Sequence, residues 1–234
     1  MYQWFYNPNV PFHMWETTHL LTIACIVVIV LCLFFFRKKL KPYRRVIRLS
    51  IGWMLILSRL SLDIWYVTTD QWSIRSSLPL ELCSIASLIC GIMLLTKNRH
   101  LFEVFYFIAI GGAIQAILTP DLNFGFPQYR FLQFFFDHLL LFISPLVMIW
   151  LYDYTITRRS LFKSFIALNL IAGVVFIVNI LFSANYMFLR AKPSSGSLLD
   201  FLGPYPYYIL SLEFVALTIF FILYMPFMFS KKHE

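Results

Sequence analysis

The sequence predicts an all-α, polytopic membrane bundle of about seven transmembrane helices, with its N-terminus outside and its C-terminus in the cytoplasm. Three observations carry this. The 234 residues are 60% hydrophobic and only 13% charged, with a mean hydropathy of +0.76, more apolar surface than a soluble fold of this size covers. Seven stretches approach the ~20 apolar residues that a helix needs to cross a hydrocarbon core. The basic residues of the intervening loops fall mostly on one side, as the positive-inside rule requires.

The predicted helices lie in one transmembrane domain over residues 1–234. They run over 18–36, 46–67, 78–95, 101–119, 131–152, 161–182 and 207–229. The stretch before the first has no Lys or Arg. It therefore lacks the basic region of a cleavable signal, and the first apolar run is expected to remain as a helix. The second run is interrupted by Arg48, Arg59 and Asp63. Twelve Lys and Arg fall in the loops after the first, third and fifth helices and after the seventh, with Lys163 at the same end of the sixth helix, against four in the other loops. That asymmetry fixes the predicted orientation. Trp4, Trp15, Trp65, Trp72, Tyr152, Tyr205 and Tyr207 sit where aromatic belts are expected. The long connection 183–206 is rich in Pro and aromatics, which suits an ordered cover over a cavity.

A net charge of +8 raises the possibility of nucleic-acid binding. The basic residues flank apolar runs instead of forming a patch, so no nucleic-acid partner is expected. Cys25, Cys32, Cys83 and Cys90 all lie inside apolar runs, and none forms a CxxC pair. That pattern argues against a disulfide framework or a structural zinc site. Signatures of the GxSxG, HExxH and GxxxxGK[ST] types are absent. Neither a metal nor a cofactor is expected.

Polar side chains within a bilayer cost at least ~2.5 kcal/mol for a charge at its centre, and they usually mark a site. Their predicted depths agree. Arg59 and Asp63, i and i+4 on one face, lie near the outer end of the second helix. Glu81 and Cys83 open the third, Gln115 closes the fourth, and His138 and Glu213 lie in the outer halves of the fifth and seventh. Asp121 and Asn123 occupy one outer connection and Asn185 the other. A polar cavity towards the outer face accounts for all of these. An Arg59–Asp63 pair that only neutralises itself is the blander alternative, and His19 suits a simple interface position. Asp137 and His138 are neighbours, about 100° apart on a helix, so one of the two is expected to face the centre of the bundle. Gly111 and Gly112 suit close helix packing.

Four segments carry a family resemblance. Leu78-Pro79-Leu80-Glu81-Leu82-Cys83-Ser84 resembles the LPLxLC motif of the YwaF-like bacterial integral membrane proteins. GGAIQAILTPDL (111–122), FLQFFFDH (131–138) and NYMFL…KP…SLLDFLGP (185–204) also look like that family. Its animal relatives are the transmembrane protein 164 acyltransferases. The resemblance implies transfer of a fatty acyl chain between membrane phospholipids through a cysteine thioester, with Cys83 as the thiol and His138 as the family histidine. It departs from the family at Glu81 and Gln128, where histidine is expected. A bacterial plasma membrane is the expected location. Two other classes stay open on the sequence. One is a transporter or binding protein for a small solute with a cavity open to the outer face. The other is a structural or signalling partner without chemistry.

Overall fold

The computed structural model describes residues 5–7, 9–193 and 198–228. Trp4, Lys231, Lys232, Ser197 and the last residue of the seventh predicted helix lie outside them. The described residues are helical with no strand. They form α1 (Thr17–Leu40), α2 (Arg44–Thr68), α3 (Leu82–Thr96), α4 (Arg99–Leu118), α5 (Tyr129–Tyr152), α6 (Arg158–Phe182) and α7 (Tyr207–Met228). Two 3-10 turns, Tyr186–Phe188 and Leu198–Leu202, punctuate the long connection before α7.

Five helical stretches are long and apolar enough to cross a membrane. One of them, Thr17–Thr68, is 52 residues long, about 78 Å if straight, far beyond a ~30 Å core. It folds back at Lys41-Pro42-Tyr43. α1 runs down α5, from the His19–Phe135 ring contact at 5.6 Å to the Phe34–Trp150 contact at 5.4 Å. α2 returns up the same helix, from Arg48 Nε donating to Tyr152 OH at 3.1 Å to the Ser61–Tyr129 hydroxyl pair at 2.7 Å. The end of the bundle at Thr17, Thr68 and Tyr129 is called the upper end below.

α3 corrects the predicted third helix. It begins at Leu82, not residue 78, and has 15 residues, about 22 Å, too short to span the core by itself. The Leu80 N–H closes back on the Leu78 carbonyl at 2.7 Å across Pro79, and Glu81 takes the extended N-cap conformation. Residues 78–81 are therefore a turn set into the upper half of the bundle.

Lipid-facing character is written into the helix faces. α2 buries one stripe containing Arg48, Leu55, Ser58, Arg59, Leu62 and Trp65, while Trp53, Leu57, Leu60, Ile64 and Val67 on its other side are exposed. This is the reverse of a soluble amphipathic helix. α1 buries only His19 and Ile26, and α7 only Tyr208 and Phe220. α5 is the core helix and packs against α1, α2, α3 and α4. Gly52 and Gly91 bring α2 and α3 together: a Cβ on Gly91 would stand 3.1 Å from the Gly52 carbonyl oxygen. His19, in the first turn of α1, is fully buried against its neighbours. It accepts the Trp15 N–H at Nδ1 (3.1 Å) and bonds the Ile117 carbonyl through Nε2 (2.9 Å).

Candidate functional site

A cavity of about 800 Å³ lies in the upper half of the bundle, lined by residues of α2 to α7. Its walls differ in chemistry. Arg59 of α2, Gln133, Asp137 and His138 of α5, and the Glu81–Cys83 turn supply polar groups, while Leu168 of α6 and Val215, Ala216 and Ile219 of α7 are apolar. The connection 183–206 contributes Met187, Phe188 and Lys192. An amphipathic cavity of this volume suits a ligand with a polar head and an apolar body.

Cys83 is half-buried and reduced. It sits in the first turn of α3, and a Cβ added to Gly112 of α4 would lie 3.5 Å from its sulfur. Gly112 therefore leaves space beside the thiol, while Gly111 faces Ile219 of α7, at 3.1 Å from an added Cβ. The predicted role of this glycine pair, close packing, holds for Gly111. Gly112 lies beside Cys83 of α3, where an added Cβ would make an ordinary van der Waals contact with the sulfur.

His138 is buried, with Nδ1 2.7 Å from the Phe134 carbonyl oxygen one turn earlier. A carbonyl oxygen only accepts, so Nδ1 carries the hydrogen and Nε2 keeps its lone pair. That is the tautomer a base requires. Asp137 also lines the cavity. One of its carboxylate oxygens accepts the Ser87 hydroxyl at 2.6 Å, and the other is buried with no partner. Both neighbours reach the interior because α5 is surrounded by helices, so the expectation that only one would face inward is corrected. The sequence signal for Asp137 is its place beside His138 in the FLQFFFDH stretch.

Arg59 donates from Nη2 to Asp63 at 2.5 Å and to the Ser77 carbonyl at 2.9 Å, while its buried Nε has no partner. Asp63 does not line the cavity. It is partly exposed and holds Arg59 from behind. Glu81, Gln115, Asp121, Asn123, Asn185 and Glu213 all line the cavity, with different duties. Glu81 accepts the backbone N–H of Met187 at 2.9 Å. It stands just outside α3, and burial pushes its carboxyl up to about 7; the Met187 hydrogen bond opposes the shift and the charge of Asp121 adds to it. Glu213 accepts from Asn169 at 3.0 Å. The Asn185 side chain is spent on its own loop, accepting from the N–H groups of Arg190 and Ala191 and donating to the Ala191 carbonyl.

The loop is held firmly over the site. Asn179 of α6 grips Tyr186 through both its backbone N–H and its carbonyl, at 2.8 and 2.9 Å. The Tyr186 hydroxyl donates to the Ile74 carbonyl and accepts the Leu78 N–H. Met187 and Phe188 both take left-handed φ angles, 58° and 52°, a strained conformation for such residues. Glu81 holds the first through its N–H, and the Tyr208 hydroxyl holds the second through its carbonyl. Gln128, where the resemblance expects histidine, is nearly fully buried and has a structural task. It accepts the Asn7 N–H and donates to the Val10 carbonyl, strapping the N-terminal segment to the start of α5. Among the described residues no three His, Cys, Asp or Glu side chains are grouped to hold a metal ion.

Neither a curated protein nor a solved structure matches this chain. A family model does: it aligns with residues 13–224, which contain all seven helices apart from the last turn of α7. That match takes in the Glu81–Cys83 turn, the α5 wall and the loop above them, and on it the chain belongs to the TMEM164 family of multi-pass membrane proteins.

Proposed function

We propose that the chain is a membrane-embedded acyltransferase that moves a fatty acyl chain between phospholipids through a thioester on Cys83. What supports the reading is that Cys83 and His138 line one amphipathic cavity, with His138 in the tautomer that leaves Nε2 able to take a proton. With the basic loops at the lower end inside, the cavity belongs to the outer leaflet of a plasma membrane.

In this reading the donor's ester carbonyl comes to rest beside Gly112. His138 Nε2 takes the Cys83 proton as the sulfur–carbon bond forms, and the same proton goes to the departing glycerol oxygen as the ester carbon–oxygen bond breaks. The hydroxyl of an acceptor lysophospholipid then attacks the thioester. Its proton passes through His138 to the leaving sulfur, and the enzyme returns to its starting state. Oxyanion charge is met by hydrogen-bond donors of the polar wall, of which Arg59 and Gln115 are the candidates. Glu81 positions the loop in this scheme, and no cofactor enters it.

Intact-mass analysis of protein purified with phospholipid, with and without hydroxylamine, tests the reading. A hydroxylamine-labile acyl adduct that disappears in Cys83→Ser supports it. If Cys83→Ser leaves lipid exchange and binding unchanged and no adduct forms, acyl transfer is excluded and a solute-binding or transport role takes its place.

A further inference from the structure

Among the described residues, only two buried side-chain nitrogen or oxygen atoms lack a hydrogen-bond partner: Nε of Arg59 and one carboxylate oxygen of Asp137. Both residues line the same cavity, and they are only 5% and 7% exposed. Buried polar groups are nearly always paired, because an unpaired one bears the full cost of its desolvation. The two orphans are also opposite in kind, since one donates and the other accepts, yet they do not satisfy each other. Each is tethered through other atoms. Asp63 and the Ser77 carbonyl hold Arg59 by Nη2, at 2.5 and 2.9 Å, and the Ser87 hydroxyl holds Asp137 at 2.6 Å.

Their heights in the bundle keep them apart. The Gln133 amide donates to the Ser58 hydroxyl at 3.1 Å, which sets these two residues at one level on α5 and α2. From there Arg59 is one residue up α2 and Asp137 four residues down α5, a difference of about 7.5 Å along the bundle. Asp63, one turn further up, draws the guanidinium higher still. Cys83 falls between the two levels: it stands four residues above Ser87 on α3, about 6 Å, and Ser87 meets Asp137.

We infer that Arg59 and Asp137 together bind the glycerol phosphate of a lysophospholipid, Arg59 taking a phosphate oxygen and Asp137 the free glycerol hydroxyl. The inference rests on the acyl-transfer reading for the choice of a lipid; the orphaned pair itself calls for one molecule with an acceptor above and a donor below. A guanidinium is a strong partner for phosphate. In a lipid whose headgroup lies at the upper end, the part below the phosphate is the glycerol, so the donor that reaches Asp137 is a glycerol hydroxyl and not a headgroup ammonium. A diacyl lipid has no such hydroxyl and leaves the Asp137 oxygen unpaired. Donor and acceptor lipids thus share the Arg59 contact, and only the acceptor answers Asp137. With Arg59 engaged by phosphate, the oxyanion falls to Gln115.

The test is equilibrium binding to the full chain in non-ionic detergent, read by native mass spectrometry. Its probes are lysophosphatidylcholine, the O-methyl ether of its glycerol hydroxyl, the matching monoacylglycerol and soluble glycerophosphocholine. The ether and the monoacylglycerol should each bind about tenfold or more weaker than lysophosphatidylcholine, the effect of leaving one buried charged partner unmet. Asp137→Asn should cut the discrimination against the ether to about threefold or less, and Arg59→Gln should do the same for the monoacylglycerol. The wild-type comparisons decide the matter even if a variant does not fold. If the wild type binds the ether as tightly as the hydroxyl form, water meets the Asp137 oxygen and the inference is overturned, even where Cys83 carries an acyl adduct. If the discrimination holds and no hydroxylamine-labile adduct ever forms, the lipid site stands and acyl transfer alone fails. If glycerophosphocholine competes as well as the lysolipid, the choice of a lipid is overturned and the ligand is a soluble glycerol phosphate.

Discussion

The carboxylate of Glu81 accepts the backbone N–H of Met187 at 2.9 Å, tying the loop over the cavity to the turn that carries Cys83. Because burial raises this carboxyl to about 7 from its ordinary 4.5, the folded chain holds the proton more tightly than the unfolded one. The stability this group contributes is thus fully present below about pH 4.5 and is lost as pH rises towards 7. Thermal unfolding in detergent across that window should show this fall, and Glu81→Gln, which keeps an acceptor for Met187, should flatten it. Stability that climbs with pH over the same window in the wild type, and not in Glu81→Gln, would reverse the assignment.

Arg48 is the buried cation of the lower half. Its Nη1 donates to the carbonyls of Leu94 and Leu95, and its Nε to the Tyr152 hydroxyl. It thereby satisfies carbonyls that the last turn of α3 leaves open. Arg48→Met is expected to destabilise by roughly 2–4 kcal/mol, the cost of leaving such acceptors unpaired and losing a charged donor. Reversible unfolding in mixed micelles measures this directly. A loss under ~0.5 kcal/mol, the range of an ordinary surface change, would mean that water reaches those carbonyls.

Gln128 clamps the N-terminal segment through Asn7 and Val10, with the Gly125 N–H donating to the Val10 carbonyl beside it. Gln128→Ala should raise amide hydrogen exchange in this segment by about tenfold, as expected for losing hydrogen bonds worth ~1.4 kcal/mol together. Exchange in α5 should stay as it was. Unchanged protection near Val10 would show that the aromatic contacts of Phe12 hold the strap by themselves.

Two glycines should respond with opposite signs. At Gly91 a Cβ would come within 2.9 Å of Ile56 and 3.1 Å of the Gly52 oxygen, so Gly91→Val overpacks the α2–α3 seam and costs about 1–3 kcal/mol. At Gly173 in α6 a Cβ meets nothing within 4 Å. Gly173→Ala removes backbone freedom from the unfolded chain and should stabilise by roughly 0.5–1 kcal/mol. Paired thermal unfolding curves decide both, and equal shifts in the two variants would show that the seam yields to a side chain.

The helices were legible because hydropathy is a local property. Runs such as 158–182 and 207–228 declare themselves residue by residue, since each side chain must suit lipid or the bundle interior wherever its neighbours lie. The family resemblance pointed to Cys83 and His138, and the depth argument pointed to Arg59 and Glu213, because depth along a helix depends only on counting residues. Rotation about the helix axis cannot be counted in this way. It depends on which helices pack on which faces, and only the tertiary structure decided it. Asp137 and His138 both reach the interior because α5 is enclosed on several sides. Asp63 stays outside the cavity because α2 turns Arg59, Leu62 and Trp65 inward and Asp63 to another side. Asn185 closes its own loop, and Gln128 holds a distant segment, through partners far apart in sequence or outside any periodic pattern. The late start of α3 has the same origin: Leu78 to Glu81 are apolar enough for a helix, but hydrogen bonds to Tyr186 and Met187, more than a hundred residues away, hold them in a turn.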